Sequence, residues 1–232
     1  MQIKFIGHAT FELTDGDGDG DARVLVDPFL APHNPAAGVS ADDVDPPTQI
    51  LVTHGHSDHT ADVVAVAKRT GAGVLAITEL AGWFEAQGLE NVVNPNIGGT
   101  VEFDWGRVKL VPAWHTNTNP EGGAIGAASG LMITLGETTI YHLGDTALFS
   151  DLGMIGERHS PDIALVPIGG HFTMDIEDAA YACSLIGAPT VIPCHYNTFP
   201  PIRADAEAFK QQVESESSSK VVVLEPGETY DV

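Results

Sequence analysis

The run His54-Gly55-His56-Ser57-Asp58-His59 places three imidazoles and a carboxylate within six residues. All four are metal-competent, and imidazole with carboxylate suits Zn²⁺, Mn²⁺, Fe²⁺ or Ni²⁺. Four adjacent donors crowd a single ion, whereas two ions about 3.5–4 Å apart can share them. The bland alternative is an exposed polar loop, in which each side chain is solvated or paired separately. The chain has 10 His in 232 residues, as many as its Lys and Arg together.

Further donors stand where apolar runs end. His115 follows 108–114, Asp145 follows 139–144 and His195 follows 190–194. Taken singly, each reads as readily as a core or rim residue; beside the His/Asp run they complete a two-metal site. His8 sits in the first turn, and His171 follows Gly169-Gly170, where backbone can approach a ligand closely. Both are candidates for supporting the donors or touching substrate, against a packed or exposed turn His. Tyr196 and Asn197, just past His195, are candidates for giving a donor or proton to substrate. His142 reads as a structural strand residue, and His33 and His159 as loop residues.

The elements that must position these groups follow from periodicity. Residues 2–6 and 9–13 alternate with period 2 and read as strands, as does 23–26. Residues 31–47 are Pro-rich and aperiodic, a long loop of the kind that borders a site. The short apolar run 49–53 is of the buried-strand kind and feeds the His/Asp run directly; a helix over 60–69 follows. Strand 74–77 and helix 79–87 come next, then strands near 91–93, 100–104 and 107–113. A loop spans 116–128, and 130–135 with 138–142 reads as a hairpin around Gly136-Glu137. Strand 162–167, helix 175–186, strand 190–193, helix 203–216 and strand 220–224 complete the chain. This alternation predicts an α/β fold with a sheet that is not purely parallel. No composition break marks a linker, so one domain over 1–232 is expected.

With these motifs in order along nearly the whole chain, the sequence resembles the metallo-β-lactamase superfamily of binuclear hydrolases. Within it, the chain is similar to small metal-dependent hydrolases close to the ascorbate-phosphate lactonase type. The residues behind that finer likeness are Gly7-His8-Ala9, Asp27-Pro28-Phe29-Leu30, Gly144-Asp145-Thr146, the run from Pro167 to Met174 and the run from His195 to Pro200. The resemblance implies a four-layer αββα sandwich, two mixed sheets flanked by helices, with the site at one edge. It implies that His54, His56 and His115 hold one metal, that Asp58, His59 and His195 hold the second, and that Asp145 bridges. It also implies that Asp27 supports the metal loop by accepting from a ligand His N–H. The chemistry agrees: water between two cations loses its proton near neutral pH, giving a hydroxide nucleophile that Asp58 can orient. The expected cofactor is two divalent ions, foremost Zn²⁺, and the expected reaction is cleavage of a small-molecule ester, lactone or phosphodiester. Competing readings are a nuclease-type phosphodiesterase and a metal-binding or di-iron redox protein of the same fold. The filled ligand set and the absence of a fused flavin domain favour the hydrolase.

Thirty-two acids against 10 basic residues give a net charge of −22. That balance argues against a basic nucleic-acid surface and against an anionic membrane as partner. No apolar run reaches the roughly 18–20 residues of a membrane helix, and no signal-peptide core follows Met1. A cytoplasmic protein acting on a small molecule is expected, with a homo-oligomer left open. The two cysteines, Cys183 and Cys194, exclude a disulfide framework and read as buried free thiols rather than one bridge. Asp15, Asp17, Asp19 and Gly20 mimic half an EF-hand loop, but its twelfth position is Val26, not the Glu that Ca²⁺ needs. Most acids have no site role and read as adaptation to a salt-rich solvent. A salt-loving host makes its nucleic-acid enzymes acidic too, so the case against a nuclease rests on the short chain.

Overall fold

The computed structural model describes residues 1–16 and 22–232. The first half supplies strands β1 (Gln2–Gly7), β2 (Thr10–Thr14), β3 (Arg23–Val26), β4 (Gln49–Leu51), β5 (Gly73–Leu75) and β6 (Val92–Val93). Helices α1 (Ser57–Thr60), α2 (Val63–Thr70) and α3 (Thr78–Ala86) lie between them. The second half supplies β7 (Thr100–Phe103), β8 (Gly106–Pro112), β9 (Ser129–Leu135), β10 (Thr138–His142), β11 (Ile163–Pro167), β12 (Thr190–Cys194) and β13 (Lys220–Val221). Helices α4 (Asp151–His159), α5 (Ile176–Ile186) and α6 (Ala206–Glu216) join these, and β14 (Thr229–Asp231) returns to pair with β1.

The strands form two mixed sheets, ordered β14-β1-β2-β3-β4-β5-β6 and β13-β12-β11-β10-β9-β8-β7. In each, one part is antiparallel and the rest parallel. Parallel pairs need crossovers, and helices provide all of them but the one from β3 to β4, which is the long loop after Val26. β11 shows how the layers meet. Ile163 and Leu165 enter the core shared with Phe11, Leu13 and Ile50 of the first sheet. Ala164 and Val166 point the other way, into a core with Leu152, Ala182 and Phe209 of the helices. Both faces are covered, so the strand is apolar throughout, as parallel central strands are. Val66, Leu80 and Phe84 of α2 and α3 pack on the first sheet. The result is the αββα sandwich.

Several local expectations change. The helix expected over 60–69 is two pieces, α1 and α2. The break frees Asp62, whose buried carboxylate accepts from the Leu30 amide (2.7 Å) and meets His33 Nδ1 (3.0 Å), pinning the long loop to the helix. Helix α4 is absent from the sequence reading because Gly153 and Gly156 weaken its helical signal. Gly156 has a packing reason: a Cβ there would stand 2.7 Å from the Ile186 Cα and still closer to its carbonyl, where α4 meets α5. His159 therefore ends a helix rather than lying in a loop. Helix α6 starts at Ala206, not 203, because the Asp205 side chain accepts from the Glu207 and Ala208 amides and caps it. The last strand of the second sheet ends at Val221 instead of 224. Most of the acidic loop expected over 15–21, residues 17–21, lies outside the described residues. Both cysteines are free and buried. Among the described residues no helix is long and apolar enough to cross a membrane.

Candidate metal centre

Sheet ends deliver the donors to one edge of the sandwich. The chain leaves β4, turns through Thr53, His54 and Gly55, and enters α1 with Asp58 and His59 in its first turn. His115 follows β8, Asp145 follows β10 and His195 follows β12. The turns are sterically exacting. Among the described residues five non-glycine residues have positive φ, and His8 (60°), Asp27 (46°) and His195 (54°) are three of them. Such strain persists only where surroundings over-determine it, and it gathers at functional sites. The His195 amide donates to the His8 carbonyl at 2.6 Å, tying the β1–β2 turn of the first sheet to the end of β12 in the second.

The donors fall into two groups around one carboxylate. His54, His56 and His115 have ring nitrogens within 4.8 Å of one another, and an Asp58 carboxylate oxygen lies equally close to ring nitrogens of His59, His195 and His8, themselves mutually within that distance. Asp145 stands between. Its Oδ2 lies 3.8 Å from His54 Nε2, 3.5 Å from His115 Nε2 and 3.1 Å from His195 Nε2, and its Oδ1 lies 3.4 Å from His59 Nε2. His59 Nε2, His195 Nε2 and Asp145 Oδ1 are buried without a hydrogen-bond partner. Buried polar atoms are almost always satisfied. A cluster of converging unsatisfied donors is what a cation repairs, so the residues fit a metal.

The surroundings decide which nitrogen His59 and His54 offer. Asp27, fully buried, accepts at Oδ1 from the Thr53 amide (2.8 Å). Its Oδ2 accepts from Thr53 Oγ1–H (2.7 Å) and from His59 Nδ1–H (2.8 Å). With its proton given to Asp27, Thr53 Oγ1 accepts from His54 Nδ1–H at 3.0 Å. One carboxylate thus turns Nε2 of both His59 and His54 toward the centre, the arrangement that orients metal-binding imidazoles; on His54 that nitrogen also lies 3.0 Å from His56 Nδ1. Asp58 Oδ2 sits 3.0 Å from His8 Nε2, and His8 Nδ1 sits 3.0 Å from Thr198 Oγ1. Asn117 accepts from the Gly55 amide (2.8 Å) and donates to the Ile125 and Ala127 carbonyls, clamping the 116–128 loop over the His54–His56 turn.

Electrostatics favour donation by the two carboxylates and by His8, His54, His56 and His115, whereas His59 and His195 hold a proton that a cation must displace. Burial opposes ionising Asp58 and Asp145, but the imidazoles around them outweigh it and hold both carboxyls well below the usual range. Burial foremost lowers the pKa of His54, His56 and His115, and it takes His8 down to about 4. For His59 and His195 burial is overcome by carboxylates, Asp145 and Asp27 for the first, Asp145 and Asp58 for the second; both rise, His195 to about 9.

Not every candidate is brought here. His171 is exposed, with its ring against Phe172, and is not among the converging donors. Tyr196 packs against the helix-side core, and burial foremost pushes its hydroxyl up to about 12. Asn197 spends its amide on the Ala204 backbone, accepting at 3.0 Å and donating at 3.1 Å, so it closes its own loop. His142 donates from Nε2 to the Ala9 carbonyl and accepts at Nδ1 from the Gly144 amide, bracing the turn that carries Asp145. Thr53, Asn117 and Thr198 carry no signal as single residues; only Thr53, wedged between strand and donor run, stands at a telling position.

Residues 22–196 match the family profile described as a beta-lactamase superfamily domain. The chain belongs to the metallo-β-lactamase superfamily. A metal-dependent hydrolase of Methanopyrus kandleri is 47% identical over 235 residues, spanning the whole of both chains, and one of Shouchella clausii is 45% identical over 237, again end to end. The solved metallo hydrolase Igni18 of Ignicoccus hospitalis superposes with a TM-score of 0.88 at 36% identity, covering 100% of this chain and 98% of its own. This member of the superfamily is accordingly an enzyme, a metal-dependent hydrolase. The isothiocyanate hydrolase of Delia radicum gut bacteria (TM-score 0.80, 23% identity, 100% and 99% coverage) shares the fold.

Proposed function

We propose that the chain hydrolyses an ester, lactone or phosphodiester bond of a small molecule with two divalent cations, and that Zn²⁺ suits the donor set best. The observation that carries this is Asp145, whose Oδ2 lies among His54, His115 and His195 and whose Oδ1 faces His59, so that one carboxylate touches both donor groups. Bound cations supply Lewis acidity and activate water. The protein does the remainder. His54, His56 and His115 would hold one cation; Asp58, His59 and His195 would hold the other; Asp145 would reach both. Asp27 fixes His59 directly and His54 through Thr53. Asp58 is the more solvent-accessible of the two carboxylates, with a side chain 28% exposed against 3% for Asp145. It orients the attacking water while His8 Nε2 steadies its Oδ2.

A hydrolysis screen of lactones, phosphodiesters and thioesters with the metal-loaded protein tests the reading. Turnover on one class is expected, with close to two metals per chain by elemental analysis. Asp145→Ala should abolish that turnover and lower the metal content. Full activity in Asp145→Ala, or a single metal in the active protein, would overturn the binuclear assignment.

A further inference from the structure

Three of the chain's ten Lys and Arg meet at one place. Arg107 and Lys109 stand on the outward side of β8, because Val108 and Leu110 between and beyond them are fully buried between the sheets. Arg158 and His159 end the last turn of α4. With Thr134 of β9 and Thr139 of β10 they line a hollow of about 380 Å³, within the range of small-molecule sites.

No carboxylate lines this hollow. Among the described residues Arg107, Lys109 and Arg158 form no ion pair within 4.0 Å, although acids outnumber cations threefold in the chain. The side chains are nonetheless positioned. Arg107 Nε–H donates to Thr134 Oγ1 (3.3 Å), and Lys109 Nζ donates to the Gly98 carbonyl (2.6 Å). The Thr134 and Thr139 hydroxyls lie 3.3 Å apart, which leaves one proton of the pair to point outward. Mutual repulsion is felt at His159, whose pKa falls through burial and then through Lys109, Arg158 and Arg107. The dipole of α4 accounts for cations at its C-terminus. It does not account for two more on the facing strand.

We propose that this hollow binds a small phosphorylated anion. Two guanidinium forks, an ammonium and threonine hydroxyls are the donors that phosphate oxygens take. The site is separate from the metal centre: metal donors follow the C-terminal ends of β8 and β10, whereas Arg107 and Thr139 are the second residues of those strands. A long phosphate polymer is disfavoured, since it would run onto a surface of strong negative charge. The ligand is therefore free phosphate or the phosphate of a small ester.

The test is a titration of the metal-loaded full chain with inorganic phosphate and, separately, ribose 5-phosphate, followed through the His159 ring resonances and by calorimetry. Saturable movement of His159 is expected, with binding at least tenfold weaker in Arg107→Gln and in Arg158→Gln at unchanged metal content. Tighter binding of the sugar ester would identify a phosphorylated metabolite as the ligand, and tighter binding of the inorganic ion would identify free phosphate. Thr134→Val, which removes a hydroxyl and no charge, should weaken binding severalfold if either arginine variant folds poorly. A His159 signal unmoved at saturation, or equal affinity in all variants, would overturn the proposal. So would an oligomer that Arg107→Gln dissociates while neither protein binds phosphate, or retention of a single-stranded oligonucleotide without binding of either small probe.

Discussion

Asp27 Oδ2 accepts from His59 Nδ1 at 2.8 Å, and both side chains are wholly out of solvent. Asparagine in place of Asp27 keeps the shape but offers one acceptor oxygen and an NH₂ group where two donors converge. Either His59 or Thr53 then loses its partner. Asp27→Asn should weaken metal binding about 10–100-fold, read by competition with a chromophoric chelator. Circular dichroism should stay close to that of the parent.

Gly55 tests the turn itself. A Cβ there would run into Ile125 and stand 2.8 Å from the Thr118 carbonyl. Overpacking of this kind costs about 1–3 kcal/mol, and the displaced segment carries His54 and His56. Gly55→Ala should lower the melting temperature and cut metal content together, measured by thermal denaturation and elemental analysis on the same sample.

Cys183 and Cys194 should be silent in the folded protein. Burial pushes the Cys183 thiol up to about 12 and Cys194 well above its ordinary value. Because the thiolate is the reactive form and both thiols are buried, alkylation of the native chain should stay far slower than that of a free thiol at pH 7 and at pH 9 alike. Full and rapid labelling of both is expected only in denaturant, and mass spectrometry of the quenched samples decides it.

Surface charge predicts a salt response. Among the described residues the Lys/Arg–carboxylate pairs are Arg23 with Glu12 (2.7 Å) and Asp45 (3.5 Å), so nearly all the acids repel without compensation. Screening acts over roughly 10 Å at 0.1 M salt and 3 Å at 1 M. The melting temperature should climb steeply with KCl; a flat profile would remove the reading of the acidity as an adaptation to salt.

Much of the frame is legible in the sequence because burial writes a strong pattern. β11 and β12 are continuous apolar runs, and the donors stand just past such runs. What escapes has weak local signal. Helix α4 carries two glycines for the sake of packing on α5, and β14 is three residues held by pairing with β1. Within the site, donor types and spacing are visible, but the supporting bonds are not. Thr53 and Asn117 act through contacts 26 and 62 residues away, and no local pattern encodes such distances. Asn197 shows the converse: adjacency to His195 in sequence does not aim it at the donors when the Ala204 backbone takes its amide.

The tie between the His195 amide and the His8 carbonyl closes a loop of most of the chain, joining the first turn to the end of the twelfth strand. The donor cluster cannot exist until both halves have folded and docked. A ribosome-bound fragment that ends before β12 lacks His195 and cannot complete the proposed ligand set. On the proposed ligand set the full complement of metal is acquired only late in synthesis, and metal uptake is then a record that the last quarter of the chain has found its place.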